Sequence, residues 1–333
     1  MKIIVDAFGG DNAPVEILKG CIIALSKHDD LEIIVTGPQD KIKEAAEENE
    51  IDISKLTIEN CTEILTMEDH ATDVLKKKKD SSMAVGLKML ADGRGDAFLS
   101  AGNSGALITG STLIVKRIKG IKRPAFSPIL PKSEGMFMLI DGGANAECKA
   151  DMLQQFAIMG SVYLDKVMGV KNPRVGLANV GTEETKGDPL RLEAFSLLKD
   201  TPVNFIGNVE GREIPMNGCD VLVADGFTGN LILKMYEGVA IALMDRFKAV
   251  FTKNIKNKLA AAMVMSDFKE IKHTMDTDIY GGAPILGAAK PVFKVHGNAT
   301  AKTVKYAVDL TMNYVNTGVI SEIEAELAKI SRG

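Results

Sequence analysis

The sequence predicts an α/β fold built on a mostly parallel sheet with helices on both faces. Two observations carry that expectation. Short, nearly unbroken apolar runs rich in Ile, Val and Leu recur along the chain, as strands buried on both faces require. Helix-length patterns separate them, which implies right-handed β-α-β crossovers.

Taken in order, residues 2–6 (KIIVD) read as the first strand and 14–27 as the helix behind it. Strands follow at 31–37 and 96–102, with a helix over 82–92 between them. A helix over 104–118 leads to a strand at 136–143, and one over 151–166 to a strand at 174–181. The helix 187–199 and the strands 203–208 and 220–226 continue the alternation. From 229 to 273 the pattern becomes long helix with few Gly or Pro breaks, and a strand at 291–297 and a helix at 298–316 follow. A length of 333 residues suits about two domains, yet no linker rich in Pro, Gly or Ser marks a boundary. Residues 1–333 therefore read as a single intertwined α/β body, with 229–273 as a helical extension within it.

Composition narrows the class. Hydrophobic residues make up 46% and charged residues 25%, enough for a core without disulfides or metals. Cys21, Cys61, Cys148 and Cys219 are scattered, with no CxxC or Cys/His ligand spacing, and read as buried thiols of a reducing compartment. The opening MKIIVDAFGGD runs straight into a strand, and no window of bilayer length is free of charge, so a cytoplasmic protein is expected. A net charge of −4, no Trp and 5% aromatics argue against nucleic-acid binding.

Chemistry is expected where the strands end. Gly/Asn/Asp/Ser/Thr loops lie at 6–11 (DAFGGD), 100–105 (SAGNSG), 141–145 (DGGAN), 179–184 (NVGTEE) and 225–230 (DGFTGN). On one parallel sheet they would all converge on the carboxyl edge. Their glycines admit backbone N–H groups to an anion, and the helix N-termini behind them add positive dipole. Each loop alone is equally a plain helix start, with Asp11 or Asn12 as N-cap and Pro14 in the first turn. Together they describe a cleft for a phosphate group, although none matches GxxxxGK[ST] or GxGxxG.

Lys186 stands at the start of the helix 187–199, where a cation opposes the helix dipole unless an anion sits beside it. Asn230 either caps its helix or donates its amide to an oxyanion. His296, in HGN after a strand, is an acid/base or a structural histidine. His28, His70 and His273 have no partners at ligand or triad spacing. Ser104 lacks the GxSxG context of a nucleophile, and no Cys lies in an activating motif.

The motifs VDAFGGDNAP (5–14), SAGNSGA (100–106), DGGAN (141–145), NVGTEETKG (179–187), NFIGNVEGR (204–212), DGFTGN (225–230), YGGAP (280–284) and VHGN (295–298) occur in an order that resembles the bacterial phosphate acyltransferases, over nearly the whole chain. Phe8 and the pair Asn298-Ala depart from the family's usual Met and Ser pair. The resemblance implies a Rossmann-like α/β/α sandwich akin to the isocitrate and isopropylmalate dehydrogenases, a homodimer, and no cofactor or metal. It implies transfer of a long-chain acyl group from acyl carrier protein to inorganic phosphate, yielding acyl phosphate for phospholipid synthesis. By motif position, Lys186 and Asn230 would be the catalytic pair. Asp6, Gly9, Gly10, Asp11, Asn103, Ser104, Asn145, Asn179, Asn208, Asp225, Gly226, Thr228 and His296 would line the substrate cleft.

Phosphate is already anionic near neutral pH, so such an enzyme need supply only position and charge stabilisation. The apolar stretch 258–265, with Leu259, Met263 and Val264, either packs in a helical pair or rests on a membrane surface. Lys76 to Lys79, and Arg117, Lys119, Lys122 and Arg123, are solvated faces or docking patches for an acidic carrier protein. The rival readings are a short-chain phosphotransacetylase acting on acyl-coenzyme A, an NAD-dependent decarboxylating dehydrogenase, and a non-catalytic phosphoryl-ligand binder.

Overall fold

The computed structural model describes residues 1–274 and 280–330, and of 270–274 the backbone alone, which leaves the His273 side chain outside the described residues. The first half of the chain forms β1 (Lys2–Asp6), α1 (Val15–Leu25), β2 (Glu32–Gly37), α2 (Gln39–Glu48), β3 (Thr57–Asn60), α3 (Ser82–Ala91), β4 (Ala97–Ser100), α4 (Ser104–Gly110), β5 (Ala125–Phe126), β6 (Ile129–Pro131), β7 (Met136–Ile140) and α5 (Ala150–Lys166). The second half forms β8 (Arg174–Asn179), α6 (Pro189–Lys199), β9 (Asn204–Glu210), β10 (Val221–Val223), α7 (Gly226–Thr252), α8 (Ile255–Thr274), β11 (Ala283–Leu286), β12 (Val292–Lys294), α9 (Ala301–Asn316) and α10 (Val319–Ile330).

The α/β class is as expected, but the strands form two sheets where the sequence suggested one. A seven-stranded sheet runs β3-β2-β1-β4-β12-β11-β5, and a five-stranded sheet runs β6-β7-β10-β8-β9. Pairing is parallel except for β11 with β12 and β5, and β6 with β7. The chain passes between the sheets at residues 125–131. Phe126 pairs with Ile285 in one sheet, Ile129 with Met138 in the other, and Ser127-Pro128 separates them. A proline there cannot donate to a ladder, so one apolar run splits into two strands with different partners.

Both faces of each sheet are covered, which explains the unbroken apolar runs. In β1, Ile3 and Val5 pack with Ile17, Leu18 and Cys21 of α1, while Ile4 points the other way to Met83, Leu87 and Leu90 of α3. In the second sheet Met138, Ile140, Val221 and Val223 face α5 through Phe156 and Met159. Phe137, Leu139 and Leu222 face Leu233 of α7 and Ile214.

Two helices differ from expectation. The stretch 104–118 is α-helical only to Gly110, then widens to a π turn at Ser111–Val115, and Lys116 takes φ 73°. Ser111 and Thr112 hydroxyls donate back to the Leu107 and Ile108 carbonyls (2.6 and 2.8 Å), a bond that loosens the helix ladder. The stretch 229–273 is two helices, α7 and α8, broken at Lys253-Asn254 and held together by Phe247, Phe251 and Phe268. Beyond its first turns α7 leaves large apolar side chains exposed, among them Ile241, Leu243 and Phe247. No helix among the described residues is long and apolar enough to cross a membrane.

Candidate active site

The passage between the sheets leaves a cleft of about 400 Å³. Its apolar wall comes from the crossing segment and its neighbours: Phe126, Ile129, Leu130, Ile108, Met67 and Leu233. Its polar rim draws Asp11 from the loop after β1, Ser104 from α4, Asn230 from α7, and Lys294 and His296 from the end of β12. Strand ends of the larger sheet thus meet the first turns of a helix that belongs to the smaller one.

Asn230 is the open donor of this rim. It does not cap α7, because Asp225 does so by accepting from Thr228 N (3.0 Å). Among the described residues no hydrogen bond holds the Asn230 amide, and the side chain is exposed. Two glycines let it sit there. A Cβ on Gly229 would lie 1.8 Å from the Asp141 carbonyl, and one on Gly143 (φ 135°) would lie 3.2 Å from Asn230 Oδ1. The helix therefore presses its second turn against the Asp141 to Asn145 loop.

That loop holds its own anion. Gly143 and Ala144 N–H groups donate to Asp141 Oδ1 (3.0 and 2.8 Å), and Asn145 N–H donates to Oδ2 (2.7 Å). Burial pushes the Asp141 carboxyl up, against those same N–H groups. The amides expected to meet substrate phosphate are thus occupied. Asn145 is structural too, its Nδ2 donating to the Pro124 carbonyl and to Asp141 (both 2.8 Å).

Other expected contacts also lie beneath the cleft. Asn103 caps α4 through Ala106 N (3.0 Å) and donates Nδ2 to the Asp69 carbonyl (3.0 Å). Asp6 is 2% exposed and accepts from Ser100 Oγ (2.7 Å), and burial raises its pKa. Neither Asp11 nor Asn12 caps α1, whose first residue follows Pro14; Asn12 instead ties to the Asn298 carbonyl. Gly10 (φ 98°) lets Asp11 N–H reach the Gly297 carbonyl (2.7 Å), and Gly9 packs on Gly102. Gly226 donates its N–H to the Asn145 carbonyl (2.7 Å), and Asn208 to Glu183 (2.9 Å). Of the predicted substrate contacts, Asp11, Ser104 and His296 line the cleft with Asn230.

Lys186 stands elsewhere. It is exposed on the turn before α6, whose N-cap is Asp188, so it precedes the helix and does not open it. Its stem lies over Gly181, and its main-chain carbonyl accepts from Asn179 Nδ2 (3.0 Å). Next to it is a second hollow of about 590 Å³, lined by Asn179, Val180, Gly187, Arg191, Thr228 and Ile232. Lys186 and Asn230 therefore do not share a cavity, because the β8 loop lies on the far side of the first turns of α7. Those turns form a common wall, with Thr228 and Ile232 toward one hollow and Asn230 and Leu233 toward the other. Arg191 crosses that wall to Asp225 and donates to Thr228 Oγ1 (2.8 Å). Although burial opposes it, Thr228 and Arg191 hold the Asp225 carboxyl below the usual range.

Two lysines line the Asn230 cleft: Lys234 is exposed and paired with Glu237, whereas Lys294, which the sequence reading did not single out, is buried. It is 7% exposed, and its Nζ donates to the Ala101 and Val295 carbonyls (2.8 and 2.6 Å). Burial pushes its pKa down to about 8, against the pull of Asp6 and Asp11. The signal was present in PVFKVHG, a lysine interrupting an apolar strand. Beside it His296 Nδ1 meets Asn298 Oδ1 (2.6 Å), which fixes the ring. His28 also has a partner that spacing could not reveal, Asp309 at 2.8 Å. Burial pushes the thiols of Cys21, Cys61, Cys148 and Cys219 up to about 12, so none is an available nucleophile.

A family model described as "Fatty acid synthesis protein" matches residues 1–322. The phosphate acyltransferase of Acetivibrio thermocellus is 45% identical over 330 residues, 99% of this chain and 97% of that one. That of Caldanaerobacter subterraneus subsp. tengcongensis is 46% identical over 327 residues, 98% of this chain and 97% of that one. Among solved structures, a phosphotransacetylase from Streptococcus pyogenes superposes with a TM-score of 0.61 at 16% identity, over 95% of this chain and 94% of that one. A branched-chain phosphotransacylase from Enterococcus faecalis V583 gives 0.57 at 14% identity, over 95% and 99%. At such identities the likeness speaks to the fold alone.

Proposed function

This chain belongs to the phosphate acyltransferase family, and from that premise we propose that its acyl donor is a long-chain fatty acyl thioester of acyl carrier protein. Inorganic phosphate attacks the thioester carbonyl, and the products are acyl phosphate, for phospholipid synthesis, and the free thiol. One observation supports this reading above the others: one cleft joins an apolar wall to a polar rim whose amide, Asn230, has no hydrogen-bond partner among the described residues. The wall suits an acyl chain, and the rim suits the oxyanion that forms at its carbonyl.

In this reading Asn230 donates to the tetrahedral oxyanion. Lys186 is exposed and its ammonium is free of ion pairs among the described residues, so its side chain can reach past the first turns of α7 and hold phosphate at the Asn230 rim. Asp11, Ser104 and His296 position the thioester and phosphate in this cleft, and Asn179 and Thr228 line the hollow on the Lys186 side of α7. The enzyme works as a cytoplasmic homodimer through the exposed apolar side of α7, and the tip of α8 rests on the membrane surface. The test is to mix the protein with long-chain acyl carrier protein and phosphate and trap acyl phosphate as the hydroxamate. Hydroxamate from that donor, and none from acetyl-coenzyme A, is the expected result. The reverse preference would make the protein a short-chain phosphotransacetylase.

A further inference from the structure

We propose that Lys294 is the proton donor to the departing thiolate, an inference that rests on the reaction proposed above. Three observations place it there. The side chain is buried, yet it lines the same cleft as Asn230, the proposed oxyanion donor. Two of its three N–H bonds are fixed by the Ala101 and Val295 carbonyls, which leaves one to aim. Neither carbonyl can take its charge, and no carboxylate is hydrogen-bonded to it among the described residues.

Strand geometry explains how a lysine comes to be there. In β12, Phe293 packs on Tyr314 on one face (5.3 Å between ring centroids), while Val292 lies in the cluster on the other. Lys294 is paired with Ser100 at the end of β4. Two residues past Val292, it occupies a position on that same face, where the sheet ends and the cleft begins. A core position thereby carries an ammonium to the reacting atoms.

The proton balance closes. A phosphate oxygen forms the new C–O bond, and the tetrahedral oxyanion collapses with cleavage of C–S. The electron pair leaves on sulfur, Nζ–H passes its proton to it, and a neutral amine remains. Hydrogen phosphate brought in one proton, which acylation makes more acidic, and its release through solvent restores the ammonium. No other reactant is consumed. Asp6 of β1, Asp11 of the following loop, Lys234 and Glu237 of α7 and His296 at the end of β12 are the charged and titratable groups around this amine among the described residues. Burial, with Lys234, outweighs Asp6 and Asp11 and sets it near 8, close to an ordinary thiol, the match that proton transfer favours.

The experiment compares two long-chain thioesters, one of an alkyl thiol and one of an aryl thiol whose thiolate leaves without a proton. Lys294→Met should lower kcat with the alkyl donor by roughly 100-fold, and at least tenfold less with the aryl donor, with KM for phosphate unchanged. Lys294→Arg, which keeps the charge but does not give up a proton, should be as poor as Lys294→Met. Equal losses with both donors, a raised KM for phosphate, or rescue by arginine would overturn the proposal. Wild-type protein supplies an independent readout if the variants fail to fold. Its kcat with the alkyl donor should fall above about pH 8, and not with the aryl donor. The same fall with both donors refutes the role. No acyl phosphate from either donor would sink the reaction itself, a different result.

Discussion

At the scale of single residues, Asn230 and Lys186 lie on opposite sides of the first turns of α7, and the proposed mechanism gives each a different task. Asn230→Ala should lower kcat by roughly 100-fold or more, since it removes one preorganised donor to developing charge, with little change in KM for phosphate. Lys186→Ala should also lower turnover roughly 100-fold, but with a raised KM for phosphate, because it would act on the anion. Steady-state kinetics of both variants check this. A near wild-type rate in Lys186→Ala would remove it from the mechanism. Glycine matters here only where backbone must touch backbone. Gly229, against the Asp141 carbonyl, is the position at which the first added carbon would lift α7 off the cleft.

Among the elements, the ends of the smaller sheet are pinned by one charge network. Asp220, before β10, meets Arg174 of β8 (3.0 Å) and Lys132 after β6 (2.6 Å). Burial works against its charge, but these partners hold its carboxyl down to about 2. A depressed acid stabilises the fold above its unfolded pKa and loses that contribution as pH falls through the folded value. The window is therefore about pH 4 down to about 2, and the contribution is about 2 kcal/mol. Urea midpoints should drop across that window in wild type and more weakly in Asp220→Asn. The helix α8 exposes Leu259 and Met263, the latter 84% accessible, next to Lys256 and Lys258. Binding to anionic vesicles should be lost in Met263→Asp with Val264→Asp. Retention in that double variant would assign the face to another role.

Over the whole molecule, two sheets joined at Ser127-Pro128 make a cleft that neither sheet has alone. The basic patches are partly committed: Lys122 pairs with Asp151, Arg117 donates to the Lys122 carbonyl, and Lys77 lies 3.8 Å from Asp73. If they dock an acidic carrier protein, affinity should fall steeply between low and physiological salt, which titration calorimetry would measure. An affinity indifferent to salt would place the carrier protein on another surface.

The strands at 2–6, 31–37 and 174–181 and the helices at 14–27 and 151–166 were legible because apolar period is a local property. The motif order at the loops likewise pointed to the family without coordinates. Local pattern could not say that β5 and β6 part company, since the partners of Ala125 and Phe126 are Leu286 and Ile285, far along the chain in β11. Nor could it say which polar loop residue is already occupied: Asn103, Asn145 and Asn230 look alike in sequence, and hydrogen bonds distinguish them. Lys294 was hidden for the same reason. Whether a lysine is solvated or buried beside a substrate is settled by the atoms that surround it, and those arrive only when distant strands are brought together.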